Sequence, residues 1–186
     1  MLEPVTLIVA ATEAELCGEA GLVCGVGPVE AAAATARVLA EGGVSAVLHV
    51  GLAGARRTSG IAVGALVVGA SACYEDLVTT CRLAPDVVHA DEWLVSVVAG
   101  VLGLEPLTIG TTGRVGGGDA CEVEAMEGFA VLRACELAGV PAVEVRAISN
   151  HVEDARADWR IEEALAALGS ALEVVIPVIG AGYASA

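Results

Sequence analysis

Along the chain, short apolar runs alternate with alanine-rich segments of helical character. Val5–Ala11 is an apolar run that breaks into Thr12-Glu13-Ala14-Glu15, which predicts a first strand followed by a loop or helix start. Leu22–Val26 predicts a short second strand. Gly27-Pro28 then opens a helix through about Ala40, with proline suited to the first turn and Gly42-Gly43 ending it. Val44–Val50 predicts a strand entering a turn of small residues, Gly51-Leu52-Ala53-Gly54. Further strands are expected at Gly64–Gly69, Leu107–Gly110 and Pro141–Ser149. Helices are expected at Glu92–Leu102, Glu124–Ala138 and Ile161–Leu172, with a glycine-rich segment at Thr111–Gly118. This alternation argues for an α/β fold, a three-layer sandwich whose mixed, largely parallel sheet carries helices on both faces. No repeat or linker divides residues 1–186, so one domain is expected.

Composition sharpens that picture. Hydrophobic residues make up 56% of 186 residues and only five are aromatic, so the apolar mass is alanine, valine and leucine. Such residues suit buried parallel strands under closely packed helices. The apolar stretches, such as Leu94–Leu104, contain serine or glycine and read as too short to span a membrane. Glu3 and the lack of a basic leader argue against a signal peptide. With six cysteines at positions 17, 24, 73, 81, 121 and 135 and no Cys-x-x-Cys, free thiols in a cytoplasmic protein are expected.

Charge excludes other classes. Nine arginines, no lysine and 24 acidic residues give a formal charge of −15, which would repel a nucleic-acid backbone. The absence of lysine removes Schiff-base and P-loop chemistry. Gly25-Val26-Gly27-Pro28-Val29-Glu30 begins like a dinucleotide fingerprint, but Glu30 stands where a third glycine is needed and would oppose a pyrophosphate. A tight strand-to-helix turn is the better reading, and no cofactor is expected. His49 reads as a core residue within an apolar strand. His89 and His151 have no partner at useful spacing, so neither a metal site nor a triad is expected.

Three strand ends carry polar residues that their apolar neighbours do not predict: Glu13 and Glu15, Glu127, and Asn150. In open α/β sheets ligands bind outside the carboxyl ends of strands, so Glu15 and Asn150 can converge there. Gly51–Gly54 supplies a place where a ligand could approach backbone.

Gly25–Ala31, Gly51–Gly54, Val123–Gly128 and Arg146-Ala147-Ile148-Ser149-Asn150 stand in the order found in the purine nucleoside phosphorylase/nucleosidase superfamily, which the chain resembles over most of its length. The run from Glu124 to Leu165, with Met-Glu-Gly, Arg-x-Ile-Ser-Asn-x-Val and Trp159, looks most like the futalosine hydrolases of menaquinone biosynthesis. The resemblance implies that Glu15 and Asn150 are catalytic. It makes Glu15 the activator of water and places Asn150 where adenine-specific relatives carry an aspartate. It implies that Met126 and Glu127 bind ribose, that Ala53 and Gly54 lie against the nucleoside, and that Trp159 lies near the base. It also implies a homo-oligomer, and makes Asp76 a residue that shapes the site or a subunit contact.

The chemistry fits. Glycosidic cleavage passes through an oxocarbenium-like state that carboxylates stabilise. An asparagine offers a donor and an acceptor, a pattern suited to a 6-oxopurine. A phosphorylase would need phosphate-binding arginines, and Arg56, Arg57, Arg82 and Arg114 could supply some. Arg56-Arg57, the one basic pair, could also face an anionic substrate group. A methylthioadenosine/adenosylhomocysteine nucleosidase is disfavoured by Asn150. A non-catalytic nucleoside-binding protein is the alternative from another class.

Overall fold

The computed structural model describes residues 5–77 and 84–183, the side chains of 181–183 excepted; Cys81 and Arg82 lie outside the described residues. Strand β1 (Val5–Ala10) and the long strand β3 (Val44–Ala55) run parallel, and β8 (Ala142–His151) pairs parallel with β3, so that Leu48 has Ile8 and Val143 as neighbours. The edge strand β2 (Leu22–Val23) pairs with β1. Beyond β8, β4 (Leu66–Tyr74) pairs antiparallel with β8, parallel with β6 (Leu107–Thr111) and antiparallel with β5 (Val87–His89). A three-residue strand, β7 (Val123–Ala125), joins β6 to the far end of β3. The sheet is mixed and largely parallel, and the path β3–β8–β4–β6–β7 returns to β3 and closes on itself.

Strand period two sends neighbouring residues to opposite layers. Val9 and Val47 pack with α1 (Pro28–Glu41) and α3 (Gly128–Ala138), whereas Ile8 and Leu48 pack with α2 (Glu92–Leu102) and α4 (Ile161–Tyr183). These are the expected three layers. Helix ends follow local chemistry. Pro28 opens α1, the Asp91 side chain accepts from the Leu94 amide at 2.9 Å to cap α2, and Gly103 and Gly139 end α2 and α3 with φ of 66° and 68°.

The structure corrects several expectations. Gly51–Gly54 is not a turn; β3 runs through it to Ala55, and its glycines serve close approach instead. The helix expected from Glu124 begins at Gly128, because Val123–Ala125 pairs as a strand and the Thr111 hydroxyl accepts the Phe129 amide at 2.8 Å. Helical periodicity cannot see a cap supplied by another strand. The second strand stops at Val23, and β5 was not anticipated. The last helix runs to Tyr183 rather than Leu172. Its segment Ile161–Gly180, with mean hydropathy 1.7, is long and apolar enough by length and composition to cross a membrane, so the reading that every apolar stretch is too short is also corrected. One stripe of it, Ala164, Leu168, Leu172, Val175 and Ile179, is buried in the core beside β3 and β8.

Candidate active site

Glu15, Ala53, Gly54, Met126, Glu127, Asn150 and Trp159 line a single cavity of about 320 Å³. It lies where β1, β3, β7 and β8 end, as strand-end chemistry anticipates. After β1 the chain makes a 3₁₀ turn, Ala14–Leu16, closed by Cys17 at φ 53°. That turn folds Glu15 back under the strand ends. Its Oε2 accepts from the Thr12 amide (3.0 Å) and hydroxyl (2.7 Å), and its Oε1 accepts from the Leu52 amide at 2.9 Å. The carboxylate is thereby held in one orientation.

Beneath it lies a buried charge network that sequence reasoning did not identify. Arg146 on β8 is fully buried; its Nε donates to Glu144 Oε1 at 2.7 Å, and its Nη1 is 3.6 Å from Glu127 Oε2. Its Nη2 meets His49 Nε2, while His49 Nδ1 lies 3.0 Å from the Val9 carbonyl. Burial, and then the Arg146 charge, hold the His49 pKa well below its ordinary value, so the ring is neutral: Nδ1–H donates to Val9 and Nε2 accepts from Arg146. Burial alone would lower the Arg146 pKa, but Glu144, Glu127 and Glu15 outweigh it and hold it above the ordinary value. Arg146 Nη1 has no hydrogen-bond partner among the described residues. A buried donor left unpaired costs about 1–3 kcal/mol and points to a ligand. The sequence did carry a signal here: Glu144 and Arg146, opposite charges two apart in an otherwise apolar strand, must share a face.

Glu127 sits just before the first residue of α3, 4% exposed, and accepts from the Gly27 amide at 2.9 Å. The fingerprint-like turn therefore presents its amide to a carboxylate of the same chain. Burial raises the Glu127 pKa, while Arg146 and the Gly27 amide oppose the rise. Gly51 explains why β3 is side-chain-poor here. A Cβ on it would lie 2.8 Å from Glu15 Oε1 and would also clash with Arg146 Nη1. Gly51 thus lets both groups lie close against β3.

Three residues further along β3, Gly54 pairs with Glu124 of β7 on one side and Asn150 of β8 on the other. Asn150 Nδ2 donates to the His151 carbonyl at 2.8 Å, and its Oδ1 accepts from Ser149 Oγ at 2.8 Å. Those partners decide which end of the amide is nitrogen. Glu124, missed because it was assigned to a helix, lines the cavity and is 5% exposed.

At the rim, the Arg156 guanidinium stacks 4.1 Å over the Trp159 ring, and both line the cavity. Arg56 and Arg57 do not face the cavity: Arg56 donates to the Cys121 and Gly118 carbonyls, and Arg57 pairs with Asp154. Asp76 accepts from the Gly113 amide and so pins the glycine-rich loop. His151, expected to lack an acidic partner, lies 3.6 Å from Asp154. His49, expected in the core, is fully buried there. Cysteines 17, 24, 73, 121 and 135 are free thiols, and burial pushes those of Cys121 and Cys135 up to about 12. Among the described residues, no three His, Cys, Asp or Glu side chains cluster to hold a metal.

Known proteins share this architecture. A futalosine hydrolase of Streptomyces coelicolor is 54% identical over 57 residues, which is 30% of this chain; the match spans about a quarter, 24%, of that relative's length. The S-adenosylhomocysteine nucleosidase of Streptococcus pyogenes, solved with 5-methylthiotubericidin, superposes with a TM-score of 0.82 at 23% identity, covering 95% of this chain and 97% of that one. The futalosine hydrolase of Helicobacter pylori does so with a TM-score of 0.82 at 17% identity, over 95% and 98%. At these identities the two structures establish the fold. Residues 20–121, more than half of the chain, match the family model of the phosphorylase superfamily, and the chain belongs to that family.

Proposed function

We propose that the chain hydrolyses the N-glycosidic bond of a purine nucleoside, with futalosine the favoured substrate. The observation that carries this reading is the pair Glu15 and Glu127 at one end of the cavity, with the buried Arg146 behind them, its Nη1 ion-paired to Glu127 but without a hydrogen-bond partner among the described residues. In this reading the attacking water sits between Glu15 and Arg146 Nη1, where Gly51 carries no side chain. Glu15 takes its proton as the oxygen attacks the sugar carbon. Glu127 accepts hydrogen bonds from ribose hydroxyls, and these bonds strengthen as positive charge grows on the sugar. Three carboxylates, Glu15, Glu127 and Glu144, face one guanidinium, so the buried field favours that cation. The bonding pair leaves with the purine, whose growing negative charge is met by the Asn150 amide.

Hydrolysis is favoured over phosphorolysis because, among the described residues, Arg156 is the only arginine that lines the cavity, and it lies at the rim against Trp159. Futalosine is favoured by the Streptomyces relative and by Asn150, whose fixed Nδ2 suits an oxygen at purine position 6. Such turnover would place the chain in the menaquinone route that the resemblance implies. The deciding experiment is a panel of futalosine, inosine, methylthioadenosine and adenosine, assayed for released base with and without phosphate. Phosphate-independent release of hypoxanthine from futalosine, faster than adenine release from methylthioadenosine, is the expected result. Phosphate-dependent turnover, or no base from any of the four, overturns the reading.

A further inference from the structure

We infer that Glu124 is a second specificity residue for the base: it accepts the ring N1–H of a 6-oxopurine while Asn150 donates to O6. This rests on the nucleosidase reading above and deepens it. Both residues pair with Gly54, one from each neighbouring strand. Two strand spacings set their backbones about 10 Å apart. Gly54, with no Cβ, leaves the space between them open: a side chain there would lie 3.0 Å from Asn150 Nδ2. Two side chains reaching inward across that distance leave room for the edge of one planar ring.

Position along β3 supports the same assignment. Leu52 donates to Glu15 and Gly54 stands between Glu124 and Asn150. At about 3.3 Å per residue the Leu52 amide that holds Glu15 and this pair are roughly 7 Å apart, comparable to a purine's reach from glycosidic bond to far edge. The loop fixes Glu124 in place. The Gly116 amide donates to Oε1 at 2.5 Å and the Gly118 amide to Oε2 at 3.1 Å, which leaves each oxygen a further lone pair for a ligand. Asn150 cannot readily invert its amide, because its Nδ2 faces the His151 carbonyl. The pair therefore presents a donor beside an acceptor. A 6-oxopurine supplies the matching acceptor and donor, O6 and N1–H. A 6-aminopurine reverses both, setting its N1 lone pair against the carboxylate.

The test is binding of free hypoxanthine, adenine and 6-methoxypurine, the last lacking N1–H, by calorimetry to the wild type and to Glu124→Gln. The wild type should bind hypoxanthine at least about tenfold more tightly than 6-methoxypurine, the scale of one charge-assisted hydrogen bond. Glu124→Gln should erase most of that gap and narrow the preference over adenine. Loss of a mere loop clasp would weaken all three bases alike, and that result overturns the inference. A wild-type gap below about threefold overturns it without any variant. Glu124→Asp, which keeps the charge but withdraws it from the ring, replaces Glu124→Gln should that variant fail to fold; an unchanged gap in it again overturns the inference. Because no bond is cleaved in these measurements, failure of the nucleosidase reading registers separately, as absence of base release from every nucleoside.

Discussion

Gly51→Ala adds one methyl group to the active site, and the structure fixes where it lands. Its Cβ would sit 2.8 Å from Glu15 Oε1 and against Arg146 Nη1, closer than such atoms approach in real proteins. Gly51 does not adopt positive φ, so alanine brings no backbone strain, and every effect comes from the collision. Overpacking of this kind costs about 1–3 kcal/mol, a loss that a domain with roughly 5–15 kcal/mol of stability survives. Activity should suffer more. The methyl group occupies the place proposed for water and pushes the carboxylate off the Leu52 amide. Misplacement by about 1 Å costs on the order of 10²-fold in rate. The expected result is a folded protein whose urea midpoint drops by the equivalent of about 1–3 kcal/mol and whose kcat for base release falls by about 10²-fold. A folded Gly51→Ala protein with kcat within about threefold of wild type would refute the placement of the attacking water between Glu15 and Arg146.

Glu15→Gln should lose about 10²–10⁴-fold in turnover with nucleoside binding largely intact, and near wild-type rates would remove Glu15 from the mechanism. Glu127→Ala should lower kcat/KM for a ribonucleoside at least about tenfold, the scale of a charge-assisted bond of about 1.5–3 kcal/mol; a loss under about threefold contradicts ribose binding. Glu127 must be ionised to accept sugar hydroxyls, and burial holds its pKa above the ordinary 4.5, so wild-type activity should fall on the acid side at a pH above 4.5. Its raised value favours the protonated fold, with that stability present below 4.5 and lost as pH rises through the folded pKa. The acid limb is therefore not Glu127-driven unfolding, and circular dichroism across the limb checks this. Asn150→Asp should shift the kcat/KM ratio away from hypoxanthine nucleosides toward their adenine counterparts, and an unchanged ratio means that Asn150 does not read the base.

Layering was legible in the sequence because strand and helix periods differ, and β1, β3, α1 and α2 all lie close to where apolar runs and glycine or proline boundaries put them. Glu15, Glu127 and Asn150 stood out as polar residues at the ends of apolar runs. What stayed hidden depends on partners distant in the chain. Nothing local tells that Thr111 caps α3, that Val123–Ala125 finds β3, or that Gly51 and Gly54 lie within a strand whose neighbours need their missing side chains. Arg146 was visible as a motif residue, yet its central place between Glu127, Glu144 and His49 follows from four strand ends meeting. Glu124 was hidden by a boundary error of four residues, because a face cannot be assigned inside the wrong element.

The pairing of β3 with β8 also sets an order in time. A chain emerging from the ribosome delivers Glu15, His49 and Glu127 well before Arg146. Until β8 docks, Glu15 and Glu127 have no buried cation to offset them, and β3 lacks the partner that covers Val47–Ala55. Domains fold as units during synthesis, and contacts distant in sequence form late because loop closure must come first. Three quarters of this chain must therefore wait, half-assembled, for its last strand. A chain truncated before β8 would leave acidic groups and apolar β3 backbone facing water together, a form for chaperones and proteases to recognise.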